Sequence, residues 1–122
     1  MAHRILIVDD EVDIVESIKF RLELEGIECL TANDGEEALA KAKNERPDLI
    51  LLDVMMPKIN GYKVARMLKF DTNYKDIPII MLTARSQESD IKIGKETDVN
   101  EYVTKPFDIE ELVILVNKYL DK

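Results

Sequence analysis

Five side chains suited to phosphate and metal chemistry stand at the ends of apolar segments of this chain. In chain order these segments are residues 5–8, 27–32, 49–52, 79–82 and 99–103. Asp9 and Asp10 follow the first segment and Asp53 follows the third. Thr83 follows the fourth segment and Lys105 the fifth. Each has a plainer reading alone, as a helix cap, a turn residue, a helix-entry residue or a solvated lysine. Together, three carboxylates, a hydroxyl and an amine can hold a cation and a phosphoryl group. Their combination therefore predicts chemistry that no single residue predicts.

The apolar segments themselves are typical of buried strands. Residues 5–8, 49–52 and 79–82 are continuous apolar runs without alternation. Continuous runs are expected where a parallel sheet is covered on both faces. Weaker strand candidates are 27–32 and 99–103.

Helical patterns alternate with these strands. Apolar residues recur at helical spacing in each pattern, and capping or stop signals mark most of their ends. The first predicted helix runs from about Glu11 to Glu25 and stops at Gly26. The second begins at a cap formed by Asp34 and Glu37 and ends before Pro47. The third begins at Asn60-Gly61, and the last begins at a cap formed by Asp108 and Glu111. A further helix before the fifth strand is poorly defined, because Ile91 and Ile93 form no stripe and Gly94 weakens it.

This order predicts a doubly wound α/β fold, a (βα)₅ arrangement with a five-stranded parallel sheet and helices on both faces. Right-handed crossovers place the helices on the two sides. Ligands of such sheets bind outside the carboxyl ends of the strands. The five chemical side chains are therefore expected to meet at one edge of the sheet.

Three carboxylates at one edge need a compensating charge. Each pair repels by about 4 kcal/mol at 4 Å and an effective dielectric near 20. Oxygen ligands of this kind favour Mg²⁺, with Mn²⁺ as an alternative, and Lys105 adds a second positive charge. In that setting Asp53 is predicted to attack phosphorus in line and to form an aspartyl phosphate.

Length and charge narrow the classes of function. From the 122 residues we expect a single domain, 1–122, without a second output domain. A net charge of −8 argues against a nucleic-acid surface. No signal peptide and no apolar run near 18 residues is visible, so we expect a cytoplasmic protein without membrane contact. The single cysteine, Cys29, and the single histidine, His3, are expected to be structural or surface residues.

Five motifs resemble those of the response-regulator receiver family. They are Ile-Leu-Ile-Val-Asp-Asp-Glu at 5–11, Pro-Asp-Leu-Ile-Leu-Leu-Asp-Val-Met-Met-Pro at 47–57, Asn-Gly-Tyr at 60–62, Ile-Pro-Ile-Ile-Met-Leu-Thr-Ala at 77–84 and Tyr-Val-Thr-Lys-Pro-Phe at 102–107. The resemblance covers nearly the whole chain and implies the flavodoxin-like form of the fold. It departs from the family pattern at Asp98-Val99, where Gly-Ala is usual, and at Lys95, where an apolar residue is common.

The resemblance also implies roles for individual residues. Asp53 matches the phosphoacceptor. The other implied roles are a direct Mg²⁺ ligand for Asp10, a ligand acting through water for Asp9, a backbone-carbonyl ligand for Met55, the switch hydroxyl for Thr83, a phosphoryl-contacting backbone for Ala84, the phosphate-contacting lysine for Lys105 and the switch aromatic for Tyr102. A cis peptide bond before Pro106 is implied as well.

The expected function is a switch that accepts a phosphoryl group from a histidine kinase or a histidine phosphotransfer protein. The domain would catalyse its own phosphorylation and dephosphorylation, and would signal by protein contact as a monomer or a weak phosphorylation-dependent dimer. The alternative is a receiver-like scaffold that works without phosphorylation, whose signature would be loss of an acid or of the lysine. A flavin carrier would need a Ser/Thr/Gly-rich loop where Asp-Asp-Glu stands, and a haloacid-dehalogenase-type phosphatase would need an acid at Met55.

Overall fold

Five parallel strands form one sheet in the computed structural model, which describes residues 3–56, 58–84 and 99–120. The strand order is β2-β1-β3-β4-β5, and every pair is parallel. The strands are β1 Arg4–Val8, β2 Glu28–Ala32, β3 Leu49–Asp53, β4 Ile79–Ala84 and β5 Glu101–Lys105. The predicted doubly wound parallel sheet is therefore confirmed.

Four helices lie among the described residues. They are α1 Val12–Leu24, α2 Gly35–Glu45, α3 Gly61–Lys69 and α4 Ile109–Leu120. Within the described ranges, no helix combines the length and the apolar content that a bilayer crossing requires. The poorly defined helix around Ile91 and Ile93, with the departures at Lys95 and Asp98, lies outside the described residues.

Short polar side chains begin three of these helices, as their positions predict. Asp34 Oδ1 accepts from the Glu37 backbone N–H at 2.9 Å, and Asn60 Oδ1 accepts from the Lys63 N–H at 3.0 Å. Before α4, Asp108 Oδ1 accepts from the Glu110 N–H at 2.8 Å. Each bond satisfies a backbone donor that has no partner inside its helix.

Both faces of the sheet are covered, which explains the continuous apolar strands. Alternate residues of β1 and β3 point to opposite faces: Ile5 and Ile7 pack with α1 and α4, whereas Leu6 and Val8 pack with α2 and α3. The buried residues on the two faces form two hydrophobic clusters. A sheet held on both faces gives its strand ends fixed positions.

Candidate functional site

The acids meet where the sheet reverses its winding direction. β1 lies between β2 and β3, so the loops after β1 and β3 lead to opposite faces and leave a crevice between them. Asp9 and Asp10 follow β1, and Asp53 ends β3. One carboxylate oxygen from each of these three lies within 4.8 Å of the other two. The predicted convergence of acids is therefore present in the structure.

Lys105 joins this cluster from the end of β5. Its Nζ lies 2.8 Å from Asp9 Oδ2, 3.2 Å from Glu11 Oε1 and 3.3 Å from Asp53 Oδ1. Burial works against the charged ammonium, but the hydrogen bond to Asp9 and the negative charges of Asp53 and Asp9 outweigh it and raise the pKa of Lys105. The lysine is therefore held as a cation among acids.

The Asp53 carboxyl is buried and carries a raised pKa of about 6. Removal from water is the largest cause, the negative charge of Asp9 adds to it, and the positive charge of Lys105 opposes it. The carboxylate is therefore mostly ionised near neutral pH, yet it is held in surroundings that disfavour its charge. A cation near Asp53 would relieve this cost.

We predict that the contribution of Asp53 to the stability of the metal-free protein falls as pH rises from about 4 to about 6. The unfolded carboxyl titrates near 3.9 and folded Asp53 near 6, so the folded state binds more protons in this window and ionisation favours unfolding. Urea denaturation in chelator at several pH values measures this directly. Asp53→Asn should remove the part of the pH dependence that Asp53 causes. If the difference in unfolding free energy between parent and variant does not change with pH, the prediction is contradicted.

Two glycines allow the loop after Asp53 to pack closely. A Cβ on Gly61 would lie 2.2 Å from the Asp53 carbonyl oxygen, and the Gly61 N–H donates to the Val54 carbonyl at 2.8 Å. A Cβ on Gly35 would lie 2.2 Å from the Ile59 carbonyl oxygen. The sequence placed Gly61 only as a helix start, so its contact with the Asp53 backbone is a finding of the structure.

Thr83, Ala84 and Met55 lie around the same edge, whereas Tyr102 lies near the start of β5, three residues before Lys105. Thr83 is buried near the end of β4, one residue after the register partner of Asp53, and Ala84 pairs with Lys105. Met55, two residues after β3, is 61% exposed. The Tyr102 hydroxyl is buried and finds no hydrogen-bond partner among the described residues, and burial raises the pKa of Tyr102 to about 12. The Lys105–Pro106 peptide bond is cis, as the resemblance implied.

Sequence reasoning missed one contact at this site. The sequence placed Glu11 at the start of the first helix and in the Asp-Asp-Glu motif, but no role was assigned to its side chain. Its carboxylate lies 3.2 Å from Lys105, which is 94 positions away in the sequence. The only sequence signal for this contact is that Glu11 is an acid close to the end of β1, where Lys105 is expected.

The donor set fits a hard divalent cation. Asp9, Asp10 and Asp53 offer carboxylate oxygens, which Mg²⁺ prefers, and no histidine or cysteine belongs to this group. Asp10 is exposed and Asp9 and Asp53 are buried, so a bound ion would meet solvent on one side. These three residues could hold Mg²⁺ with water completing its shell.

Comparison with known proteins identifies this arrangement. The sequence profile of the response regulator receiver domain matches residues 5–117. The chain belongs to this family. Receiver domains act in two-component systems, their general role is that of a phosphorylation switch, and the family typically binds Mg²⁺.

Curated relatives of this receiver domain are longer proteins. The alkaline phosphatase synthesis transcriptional regulatory protein PhoP of Bacillus subtilis is 46% identical over 112 residues, which cover 92% of this chain and 46% of that protein. The phosphate regulon transcriptional regulatory protein PhoB of Pseudomonas aeruginosa is 50% identical over 109 residues, which cover 89% and 48%. The chain thus spans about half the length of the curated relatives it matches.

Solved structures match the receiver domain over its full length. A response regulator from Chloroflexus aurantiacus has a TM-score of 0.94 at 36% identity and covers 100% of both chains. The chemotaxis response regulator CheY4 of Vibrio cholerae has a TM-score of 0.90 at 34% identity, covering 98% of this chain and 100% of its own. The predicted fold and family are both confirmed.

Proposed function

We propose that this domain is a phosphorylation switch whose acceptor is Asp53, and that a phosphohistidine of a sensor kinase or a histidine phosphotransfer protein is the donor. The observation that carries the proposal is the buried Asp53 carboxylate, which lies 3.3 Å from the Lys105 ammonium and within reach of Asp9 and Asp10. A single nucleophile is thus surrounded by the charges that phosphoryl transfer needs.

The proposed reaction transfers one phosphoryl group between proteins. An Asp53 carboxylate oxygen forms a bond to phosphorus while the phosphorus–nitrogen bond of the donor breaks, and the departing imidazole keeps the electron pair and takes a proton from solvent. Lys105 lies close enough to neutralise charge on the phosphoryl oxygens. Mg²⁺ held by Asp9, Asp10, Asp53 and the Met55 carbonyl would neutralise the rest when bound.

The switch itself would use Thr83, Ala84 and Tyr102. Thr83 and the backbone of Ala84 stand on β4 beside the strand that carries Asp53, and this neighbourhood supports a contact with the phosphoryl group. The Tyr102 hydroxyl has no hydrogen-bond partner among the described residues, and such a buried group costs about 1–3 kcal/mol. A change of position that paired this hydroxyl would be favourable, which supports Tyr102 as a moving part.

We further propose that residues 1–122 work as one receiver domain in the cytoplasm and signal by protein contact, as a monomer or a weak phosphorylation-dependent dimer. The net charge of −8 disfavours direct contact between this domain and nucleic acid. PhoP and PhoB are named as transcriptional regulators, but this chain matches only about half of each. A phosphorylation-independent scaffold is less favoured, because the three acids and the lysine are all in place.

Intact-mass spectrometry after incubation with acetyl phosphate and Mg²⁺ tests the proposal. The expected result is a gain of one phosphoryl group that requires Mg²⁺ and is absent in chelator. Protein that stays unmodified at saturating donor, while its circular dichroism shows a folded domain, would favour the scaffold reading instead.

We predict that Met55→Asn shortens the lifetime of the phosphorylated domain. Hydrolysis needs a water in line with phosphorus, and the thioether of Met55 is a weak acceptor that does not order water, whereas an amide can hold one. Met55 is largely exposed, so the exchange should leave the core intact. If water positioning is worth about 1.4 kcal/mol, the rate rises about tenfold.

The measurement is loss of the phosphoryl group over time in excess Mg²⁺. Met67→Asn, a change of an exposed methionine on α3, is the matched control and should keep the parent lifetime. An unchanged or longer lifetime for Met55→Asn would show that this side chain does not limit water access. The family resemblance implies that the position of Arg85 also influences dephosphorylation, and this residue lies outside the described residues.

A further inference from the structure

Glu11 occupies a position where its residue type is unusual. It is the N-cap of α1, where Ser, Thr, Asp and Asn are preferred because their short side chains reach back to the first free N–H groups. The Glu11 side chain makes no such capping bond. Its own backbone N–H instead donates to Asp9 Oδ1 at 2.9 Å. A capping role therefore does not explain a glutamate here.

The side chain of Glu11 contacts Lys105 instead. Glu11 Oε1 accepts a hydrogen bond from Lys105 Nζ at 3.2 Å, beside the 2.8 Å bond from the same ammonium to Asp9. The carboxylates of Asp9 and Asp53 are buried, whereas the Glu11 side chain is 59% exposed. Glu11 is thus the partner of Lys105 that can leave most easily, since water can replace the ammonium around its carboxylate.

An ammonium has three donors, and Lys105 already faces three carboxylates. A phosphoryl group on Asp53 would bring new anionic oxygens next to the same ammonium. One existing contact must then be given up, and the exposed contact to Glu11 costs least to break. The two anions compete for one cation.

We propose that Glu11 is a positioning residue that holds the Lys105 ammonium in the unphosphorylated domain and competes with the phosphoryl group for it. This inference rests on the proposed function and adds to it a residue that influences how readily the domain is phosphorylated. Glu11 biases the site toward the unphosphorylated state, and its release accompanies the transfer of Lys105 to the phosphoryl oxygens.

Beryllofluoride provides a test without phosphoryl transfer or hydrolysis. A related receiver domain has been solved as "BeF3 Activated DrrB Receiver Domain", so the probe suits this fold. Glu11→Gln keeps the size of the side chain and removes its charge. The ion pair between Glu11 and Lys105 is exposed, and an exposed ion pair contributes only a small interaction energy, so its loss should change the affinity by a small factor. We therefore expect the variant to bind beryllofluoride about threefold more tightly in saturating Mg²⁺.

The control is Glu16→Gln, which removes the same charge from an exposed position of α1 that has no ion pair among the described residues. Calorimetric titration of parent and both variants, first with Mg²⁺ alone and then with beryllofluoride, gives the two dissociation constants. Glu11→Gln should tighten beryllofluoride binding without tightening Mg²⁺ binding. A purely structural role for Glu11 would weaken both.

Equal beryllofluoride affinity in Glu11→Gln and Glu16→Gln would overturn the inference while leaving the proposed function intact. Weaker binding by Glu11→Gln than by the parent would overturn it as well. A parent that binds Mg²⁺ but no beryllofluoride would count against Asp53 as an acceptor, and the inference would fail with the proposed function.

Discussion

Asp53→Asn is expected to abolish phosphorylation and to leave the domain folded. An amide lacks the anionic oxygen that attacks phosphorus. The other buried carboxylate beside Lys105 is Asp9, which we propose as a metal ligand rather than as the acceptor. The pKa of Asp53 is raised to about 6, so its charged form is disfavoured in the metal-free fold. Removing that charge should therefore not lower stability near neutral pH in chelator.

The measurement is intact mass after incubation with acetyl phosphate and Mg²⁺, with circular dichroism and urea denaturation alongside. Asp13→Asn is the matched control, because it removes an exposed α1 carboxylate without an ion pair among the described residues. The control should be phosphorylated like the parent. A phosphoryl group that remains on folded Asp53→Asn protein would show that the acceptor has been assigned to the wrong residue.

The sequence carried enough information for the central strands and for the meeting of the acids. β1, β3 and β4 are covered on both faces, so their residues form continuous apolar runs that predict a parallel sheet. Once the strands are known, the carboxyl-end rule brings Asp9, Asp10 and Asp53 together. These predictions depend only on patterns within a few residues of each other.

The edge strand β5 was harder to place. β5 was expected at 99–103 and is observed at Glu101–Lys105, so Lys105 ends the strand rather than following it. The residues of β5 are all exposed or only partly buried, and an edge strand has a partner on one side alone, which weakens its apolar signal. Strand ends also depend on backbone pairing with a neighbour, here Ala84 with Lys105, which the sequence does not reveal.

The sharing of Lys105 could not be predicted either. The sequence indicated that the lysine would face the acids, but not that Asp9, Glu11 and Asp53 would divide its ammonium. That division depends on distances between chain segments more than 40 residues apart, and on how deeply each carboxylate is buried. Contacts of this kind follow from the packing of the whole sheet.

Lys105→Met is expected to lower the free energy of unfolding by about 3 kcal/mol near neutral pH in chelator. The lysine is the cation that faces the fully buried Asp9 and the buried Asp53, and methionine keeps much of its volume without its charge. Breaking a buried pair by removing one partner typically costs about 3–5 kcal/mol, because the remaining charge is left uncompensated. We expect the lower value of this range because exposed Asp10 keeps this edge of the sheet in contact with water, which reduces the cost of an uncompensated charge.

Urea denaturation of parent and Lys105→Met, with and without Mg²⁺ and at two pH values, measures this cost. Lower pH should recover part of the loss, because the pKa of Asp53 is already raised to about 6 and protonation removes the uncompensated charge. Added Mg²⁺ should recover part of it as well, since a cation among the acids replaces the missing ammonium. Lys118→Met is the control, because its exposed Nζ lies 3.7 Å from Glu101 at the opposite end of β5 and should contribute at most about 1 kcal/mol. A Lys105→Met loss no larger than that of Lys118→Met would mean that Asp9 and Asp53 do not depend on this lysine for their charge balance.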